Sequence, residues 1–281
     1  MKLVTWNTQW CCGLDGVVSP ERIVAVARQL ADFDVLCLQE IADNYPALAG
    51  NPCHDQPALL QALLPGFELF FGAAVDEWGT DGQRQRFGNL IATRLPVAQV
   101  QHHALPYPAD GGVRSMPRMC TVVTVRHPVL GLVRVMTTHL EFYSRPQRMA
   151  QARGLRALHE QLSAHAATPS APSDDGSPFQ TKPHTAQAIL CGDFNFEAQE
   201  PEYGVLSDPV APARLWDAWR VLQGEQPHPP TFRLHDQRYG PHPVACDFVF
   251  LSGGLEGRVR AMQVDGRTQA SDHQPVAIEL G

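Results

Sequence analysis

The stretch "AILCGDFNFEAQ" (188–199) runs from apolar residues into Gly192 and then at once into Asp193, Phe194 and Asn195. A short apolar run of this kind reads as a buried strand. Alternate positions of a strand share a face. Asp193 and Asn195 are therefore expected on one rim, with Phe194 packing on the other side. The plainer reading of the same residues is an Asx turn after a strand.

The same kind of ending recurs along the chain. "LVTW" stops at Asn7, "VLCLQ" at Glu40 and "VMTT" at His139. "CDFVFLS" carries Asp247 near its start, and "ASDHQPVAIEL" places Asp272 and His273 just before the last strand. Taken singly, an acid at a strand end is commonly a cap or turn former, and a lone His is commonly surface or core. Gathered on one rim, they would form a cluster of carboxylates, imidazoles and amides. Oxygen donors of this type suit Mg²⁺ or Mn²⁺ better than zinc. A hard cation beside imidazoles is what phosphoryl chemistry requires, because charge must be neutralised while water is activated.

Composition narrows the class. The chain has 281 residues, 44% of them hydrophobic, enough for a sizeable core. No apolar run reaches about 18 residues, so no membrane span is expected. The opening "MKLVTWNTQW" reads as a strand and lacks a secretory pattern, so a cytoplasmic protein is expected. Seven cysteines without a CxxC pair fit reduced, packed thiols. A net charge of -7 disfavours tight coating of nucleic acid.

Ser19-Pro20-Glu21 opens a helix carrying Ile23, Val26, Ala27 and Leu30 on one face. A second helix is predicted near 56–64, and a third over 145–165 with Met149, Ala152, Leu155, Leu158 and Leu162 at helical spacing. Strands are predicted at 34–40, 67–72, 88–93, 97–103, 119–126, 132–138, 187–191, 246–251, 258–264 and 275–280. A Trp-containing helix is predicted near 214–222. A Pro/Ser/Ala-rich segment at about 163–187 reads as a flexible surface loop inserted in one domain spanning 1–281. The balance suggests α+β, with packed sheets and outer helices.

Several of these segments together resemble the endonuclease/exonuclease/phosphatase superfamily. "TWN" (5–7), "LQE" (38–40), "GNLIATRLPV" (88–97), "TTHLE" (137–141), "GDFN" (192–195), "DFVFLS" (247–252) and "SDHQPV" (271–276) occur in the family's order across nearly the whole chain. The resemblance implies a four-layer α/β/β/α sandwich of two mostly antiparallel sheets, and a Mg²⁺- or Mn²⁺-dependent phosphodiesterase. It implies Glu40 as main metal ligand, helped by Asn7 and Asp272. Asp193 would orient or deprotonate water, and Asn195, His273 and His139 would meet the phosphate. Asp247 would fix the tautomer of His273. Whether Asp193 or His273 is the base stays open. Arg118 and Arg148 are further phosphate-binding candidates, against a surface salt bridge for Arg118. For Glu141, Arg145 and Arg148 the plain alternative is a helix cap with solvated charges. Asn89 is read as closing a turn, and Trp10 and Trp78 as rim or core aromatics that could instead stack on a ligand. One departure is that Ala245-Cys246 precede Asp247, where many relatives carry an arginine.

The expected substrate is a phosphate ester, DNA first, acted on by a monomer as a nuclease or DNA-end-processing enzyme. The alternative is a small organic phosphate or phospholipid headgroup. A non-catalytic binding protein on the same fold would show damage at the metal and base positions, and none is seen. A non-phosphate metal hydrolase would want more histidine ligands.

Overall fold

The protein is described by a computed structural model covering residues 1–52, 54–80 and 82–281. Its strands are β1 (Lys2–Asn7), β2 (Val35–Asp43), β3 (Glu68–Trp78), β4 (Arg84–Thr93), β5 (Val97–Ala104) and β6 (Met119–His127). They continue as β7 (Gly131–His139), β8 (Ala188–Asp193), β9 (Trp216–Asp217), β10 (Asp247–Ser252), β11 (Val259–Val264) and β12 (Val276–Leu280). Two six-stranded sheets result, ordered β11-β12-β1-β2-β4-β3 and β5-β6-β7-β8-β10-β9. Each is antiparallel except for one internal parallel pair, β1/β2 in the first and β7/β8 in the second.

Side-chain alternation builds three apolar layers. In β1, Leu3 joins the core between the sheets, while Val4 and Trp6 face helices α1 (Pro20–Leu30) and α2 (Gln56–Leu63). In β8, Ile189 and Cys191 enter the inter-sheet core, and Leu190 faces helix α3 (Arg145–Ala167). A strand covered on both faces needs apolar residues on both, which is why 188–191 reads as an unbroken run. Short helices α4 (Pro201–Leu206) and α5 (Ala218–Gln223) complete the outer shell. The architecture is the α/β/β/α sandwich.

Local rules explain the helices. Ser19 Oγ accepts from Arg22 N, with Pro20 at the first helical position. Ala152, Leu155, Leu158 and Leu162 of α3 are buried against the second sheet; trimming Leu155 to alanine would cost about 2–5 kcal/mol.

Some boundaries differ from expectation. Residues 163–167 belong to α3, so the loop is 168–187. It is tied down near its end: Arg134 Nη1 donates to Thr185 O (2.7 Å), and Thr185 Oγ1 donates to Leu132 O (3.0 Å). The helix expected at 214–222 is shorter, because Trp216 and Asp217 pair with β10 before α5 starts. Asn89 closes no turn; it lies within β4, buried, and its amide donates to Met119 O of the other sheet. Six of the seven cysteines are free and buried, and Cys53 lies outside the described residues. Among the described residues no helix is long and apolar enough to cross a membrane.

Candidate active site

The C-terminal ends of both parallel pairs meet at one cleft. Asn7 ends β1, and His139 and Asp193 end β7 and β8 in direct register. Glu40 reaches the cleft differently. Val35 and Cys37 face the other sheet, and Leu36 and Leu38 face the helices, but Ile41 again joins the helix side. The extra residue is a bulge between Leu38 and Ile41, with Glu40 at φ 60°. A bulge frees one residue from the pleat and re-aims it, and here it delivers a carboxylate to the rim.

Gly192 has a second structural reason. Its φ is 137°, and a Cβ there would lie 2.0 Å from Thr138 O. Only glycine lets β8 approach β7 this closely before Asp193.

Asn7 links the two sheets. Its Nδ2 donates to Asp193 Oδ2 (2.9 Å) and to Glu40 Oε1 (3.2 Å), while its Oδ1 accepts from Gln9 N (3.1 Å). In this orientation Asn7 shows the carboxylates its amide hydrogens rather than its oxygen. Asp193 Oδ2 also lies 3.4 Å from His139 Nε2 and 3.6 Å from His273 Nε2. His139 Nε2 is 3.8 Å from Glu40 Oε1.

His273 is held on three sides. Its Nδ1 is 2.9 Å from Asp247 Oδ2, its ring stacks on Phe232 (centroids 4.3 Å, 18°), and Trp6 Nε1 donates to its carbonyl (2.9 Å). Thr231 Oγ1 accepts from the amides of Cys246 and Asp247 (3.2 Å each) and so fixes the start of β10.

Electrostatics separate the two imidazoles. Burial pulls His273 down, but Asp247 and Asp193 outweigh it and raise the ring well above the ordinary histidine range. Burial, with the Arg118 and His273 charges, pushes His139 well below it. The carboxylates thus favour the charged form of His273, and burial favours the neutral form of His139. Burial, opposed by His273, raises Asp193 to about 6. Burial, then the Asp272 charge, raises Glu40 to about 7. Burial raises Asp272 as well.

The donor chemistry fits a hard divalent cation at Glu40 and Asp272. Two neighbouring carboxylates that burial makes reluctant to ionise are what an adjacent cation relieves. Gln9 Nε2 donates to Asp272 Oδ2 (3.0 Å), and Ser271 Oγ bridges Asn7 O (2.8 Å) and Asp272 Oδ1 (3.3 Å), steadying that arm. A second group, Asp193, Cys246, Asp247 and His273, has ligand-type atoms within 4.8 Å of one another. There the imidazole is already hydrogen-bonded to Asp247, which favours its charged form, and burial pushes the Cys246 thiol well up. That group is a proton network more than an open coordination site.

Asn195 comes to the rim, but not as the next inward position of a strand. β8 ends at Asp193, and Asn195 has φ 53°. Asp193 Oδ1 accepts from Asn195 N (2.9 Å), which is the Asx turn, while Oδ2 stays with the site. Asn195 Nδ2 donates to Leu140 O (2.9 Å). Phe194 is buried in an aromatic cluster with Phe196, Phe248 and Phe250.

The two arginines part company. Arg118 lines the cleft; its Nε donates to buried Glu141 (3.2 Å), and its buried Nη1 has no partner among the described residues. Arg148 does not line the cleft. Its Nη1 donates to the carbonyls of Glu141 (3.2 Å) and Phe142 (3.0 Å), and Glu200 and Glu202 lie within 3.6 Å. The phosphate contact expected of Arg148 therefore gives way to a role in fastening α3 to α4. Glu141 is buried rather than solvated, whereas Arg145 is exposed. Trp10 lines the cleft, and Trp78 is 68% exposed.

Sequence reading missed Gln9, Ser271, Thr231 and Phe232. Gln9 and Ser271 sit beside residues already singled out. Thr231 and Phe232 lie in a loop whose pattern carries no sign of a site.

The chain is similar to known proteins along its length. The model of the Endonuclease/Exonuclease/phosphatase family matches residues 4–273. Among solved structures, an endonuclease/exonuclease/phosphatase from Beutenbergia cavernae is 26% identical with TM-score 0.67, covering 100% of this chain and 72% of that one. A mannosyl-6-phosphatase from Bacteroides thetaiotaomicron is 19% identical with TM-score 0.69, covering 100% and 99%. Truncated TDP2 from Caenorhabditis elegans is 18% identical with TM-score 0.66, covering 99% and 95%. At those two identities the likeness is one of fold. A search of curated proteins returned no match. With the family's model running from β1 to the His273 turn, the chain belongs to the endonuclease/exonuclease/phosphatase family.

Proposed function

We propose that this family member is a divalent-metal-dependent phosphodiesterase working by in-line attack of water. One observation carries the reading: Asp193 Oδ2 stands within 3.6 Å of Asn7, His139 and His273 donors, with Glu40 across the same cleft. Asp193 orients the water and takes its proton as the new P–O bond forms. The ester oxygen leaves with the bonding pair and is protonated from Asp193 or solvent. A base needs a free lone pair, and a charged His273 has none. That argues for Asp193 as base and His273 as the donor to a phosphate oxygen. His139 adds a second contact, and Arg118 Nη1 a third. Mg²⁺ or Mn²⁺ held by Glu40 and Asp272 would supply charge neutralisation at the phosphate and leaving oxygens.

Of the two substrate groups implied by the resemblance, DNA stands first and small organic phosphates or lipid headgroups second. The acidic lining of the cleft favours the second. The test is hydrolysis of bis-p-nitrophenyl phosphate with and without EDTA, for the native chain and Asp193→Ala. Chelator-sensitive turnover lost in the variant supports the reading. Turnover indifferent to chelator, or an Asp193→Ala protein of native rate, overturns it.

A further inference from the structure

The walls of the cleft carry information about substrate, given the phosphodiesterase reading. The cleft has a volume of about 530 Å³. On the Glu40 side its wall is Trp10, Tyr45, Leu48, Val75 and Phe87, with the Tyr45 ring edge-on to Phe87 (6.2 Å, 71°). On the His273 side Phe142 is ringed by Tyr143, Phe232 and Tyr239, at 4.9, 6.3 and 5.9 Å, all edge-to-face. Such surfaces receive flat or apolar groups.

Charge points the same way. Among the described residues the lining acids are Glu40, Glu77, Glu141, Asp193 and Asp272, and the lining arginines are Arg114 and Arg118. Arg118 Nε is engaged with Glu141, which leaves Nη1 for the one reacting phosphate, and Arg114 lies over the Tyr143 ring (5.6 Å). Close by, Arg84 is paired with Asp76 and Arg86 with Asp43, both at 2.6 Å. An extended nucleic-acid strand brings a row of phosphates and is bound through a matching row of cations. This cleft offers acids and aromatic rings where that row would be.

We infer that the enzyme takes a small phosphodiester with a single phosphate and a flat or apolar ring attached, and not an extended nucleic-acid strand. The phosphate sits between Glu40 and His273, and the ring is received by one of the two aromatic walls.

The test uses diesters with one leaving group, so that only the retained group varies. The full chain with Mg²⁺ or Mn²⁺ is given p-nitrophenyl phenyl phosphate, p-nitrophenyl ethyl phosphate and a single-stranded oligonucleotide, each rate divided by its uncatalysed rate. The phenyl ester is expected to exceed the ethyl ester about tenfold in kcat/KM, mainly through KM, as the worth of a buried apolar group. The oligonucleotide is expected to be the poorest substrate. In whichever of Tyr143→Ala and Tyr45→Ala removes the receiving wall the phenyl/ethyl ratio is expected to fall toward one, and a native ratio in both overturns the inference. A misfolded variant would lose both esters together, so the ratio reads the wall itself. Equal normalised rates for the two esters in the native chain, or a higher normalised rate for the oligonucleotide, overturns the inference and leaves the phosphodiesterase reading standing. No metal-dependent turnover of either ester sinks both.

Discussion

The two parallel strand pairs make an instructive contrast. Each is the one parallel pair of its sheet, and each delivers a carboxylate to the cleft. In β7/β8 the delivery is regular: His139 faces Asp193 in register, and their side chains are 7% and 1% exposed. In β1/β2 the register runs unbroken to Asn7 and Gln39, and Glu40 lies just beyond it, in the bulge that β2 makes against β4; its side chain is 19% exposed and lies nearer solvent. Burial raises both acids, so the difference lies in their surroundings: a fully enclosed acid beside two imidazoles suits proton transfer, where fixed geometry matters. An acid lifted out of the pleat toward an open cleft suits a cation that must exchange. On the proposed reading, one end handles protons and the other charge.

That division can be broken by separating the two readouts. The largest effect is expected for Asp193→Asn. It should lower kcat by about 10³-fold or more while leaving Mn²⁺ affinity, read by calorimetry, within a few-fold of native. Loss of Mn²⁺ binding in that variant would erase the contrast. Glu40→Gln should do the reverse: Mn²⁺ affinity falls about 10²-fold, and raised Mn²⁺ recovers much of the rate. Asp247→Asn should sharpen the proton side. The rate drops about 10–100-fold, and the His273 titration followed by NMR moves down, because the carboxylate that holds the charged ring is gone. An unmoved titration would assign Asp247 to packing alone.

The smallest effect on activity is expected at His159, outside both ends. It is fully buried, and its Nδ1 lies 3.2 Å from Arg134 Nη2. Burial, with the Arg134 and Arg156 charges, pulls it from 6.5 to about 3. Below 6.5 the unfolded chain therefore binds a proton that the folded chain refuses. The stability supplied by the neutral ring is present above about pH 6.5 and is lost progressively toward about pH 3. His159→Gln should flatten the acid limb of the stability curve with kcat unchanged; an unaltered slope would show that His159 does not titrate in this way.

Much of the molecule was legible beforehand. The apolar runs that became β2, β7 and β8, the capped start of α1 and the stripe of α3 follow from local periodicity. The polar residues at strand ends identified the candidate site because such ends are rigid and open. Arg148 shows where this stops. Its guanidinium is chemically suited to phosphate, and only burial beside Glu202 and two carbonyls directs it elsewhere. Asn195 shows it again. A turn at φ 53°, and not strand alternation, brings it to the rim.

What the sequence determined by itself is every strand but β9, and the chemistry waiting at their ends, since both are written in residue type and short-range spacing. Which ends meet is another matter. Asn7 and Asp193 are 186 residues apart, and Gln9 and Asp272 are 263 apart. Sheet stacking, the bulge at Glu40 and the charges on His273 come from contacts between distant segments. Solvent exclusion and local field are set by everything packed around a group, so tertiary structure alone decided them.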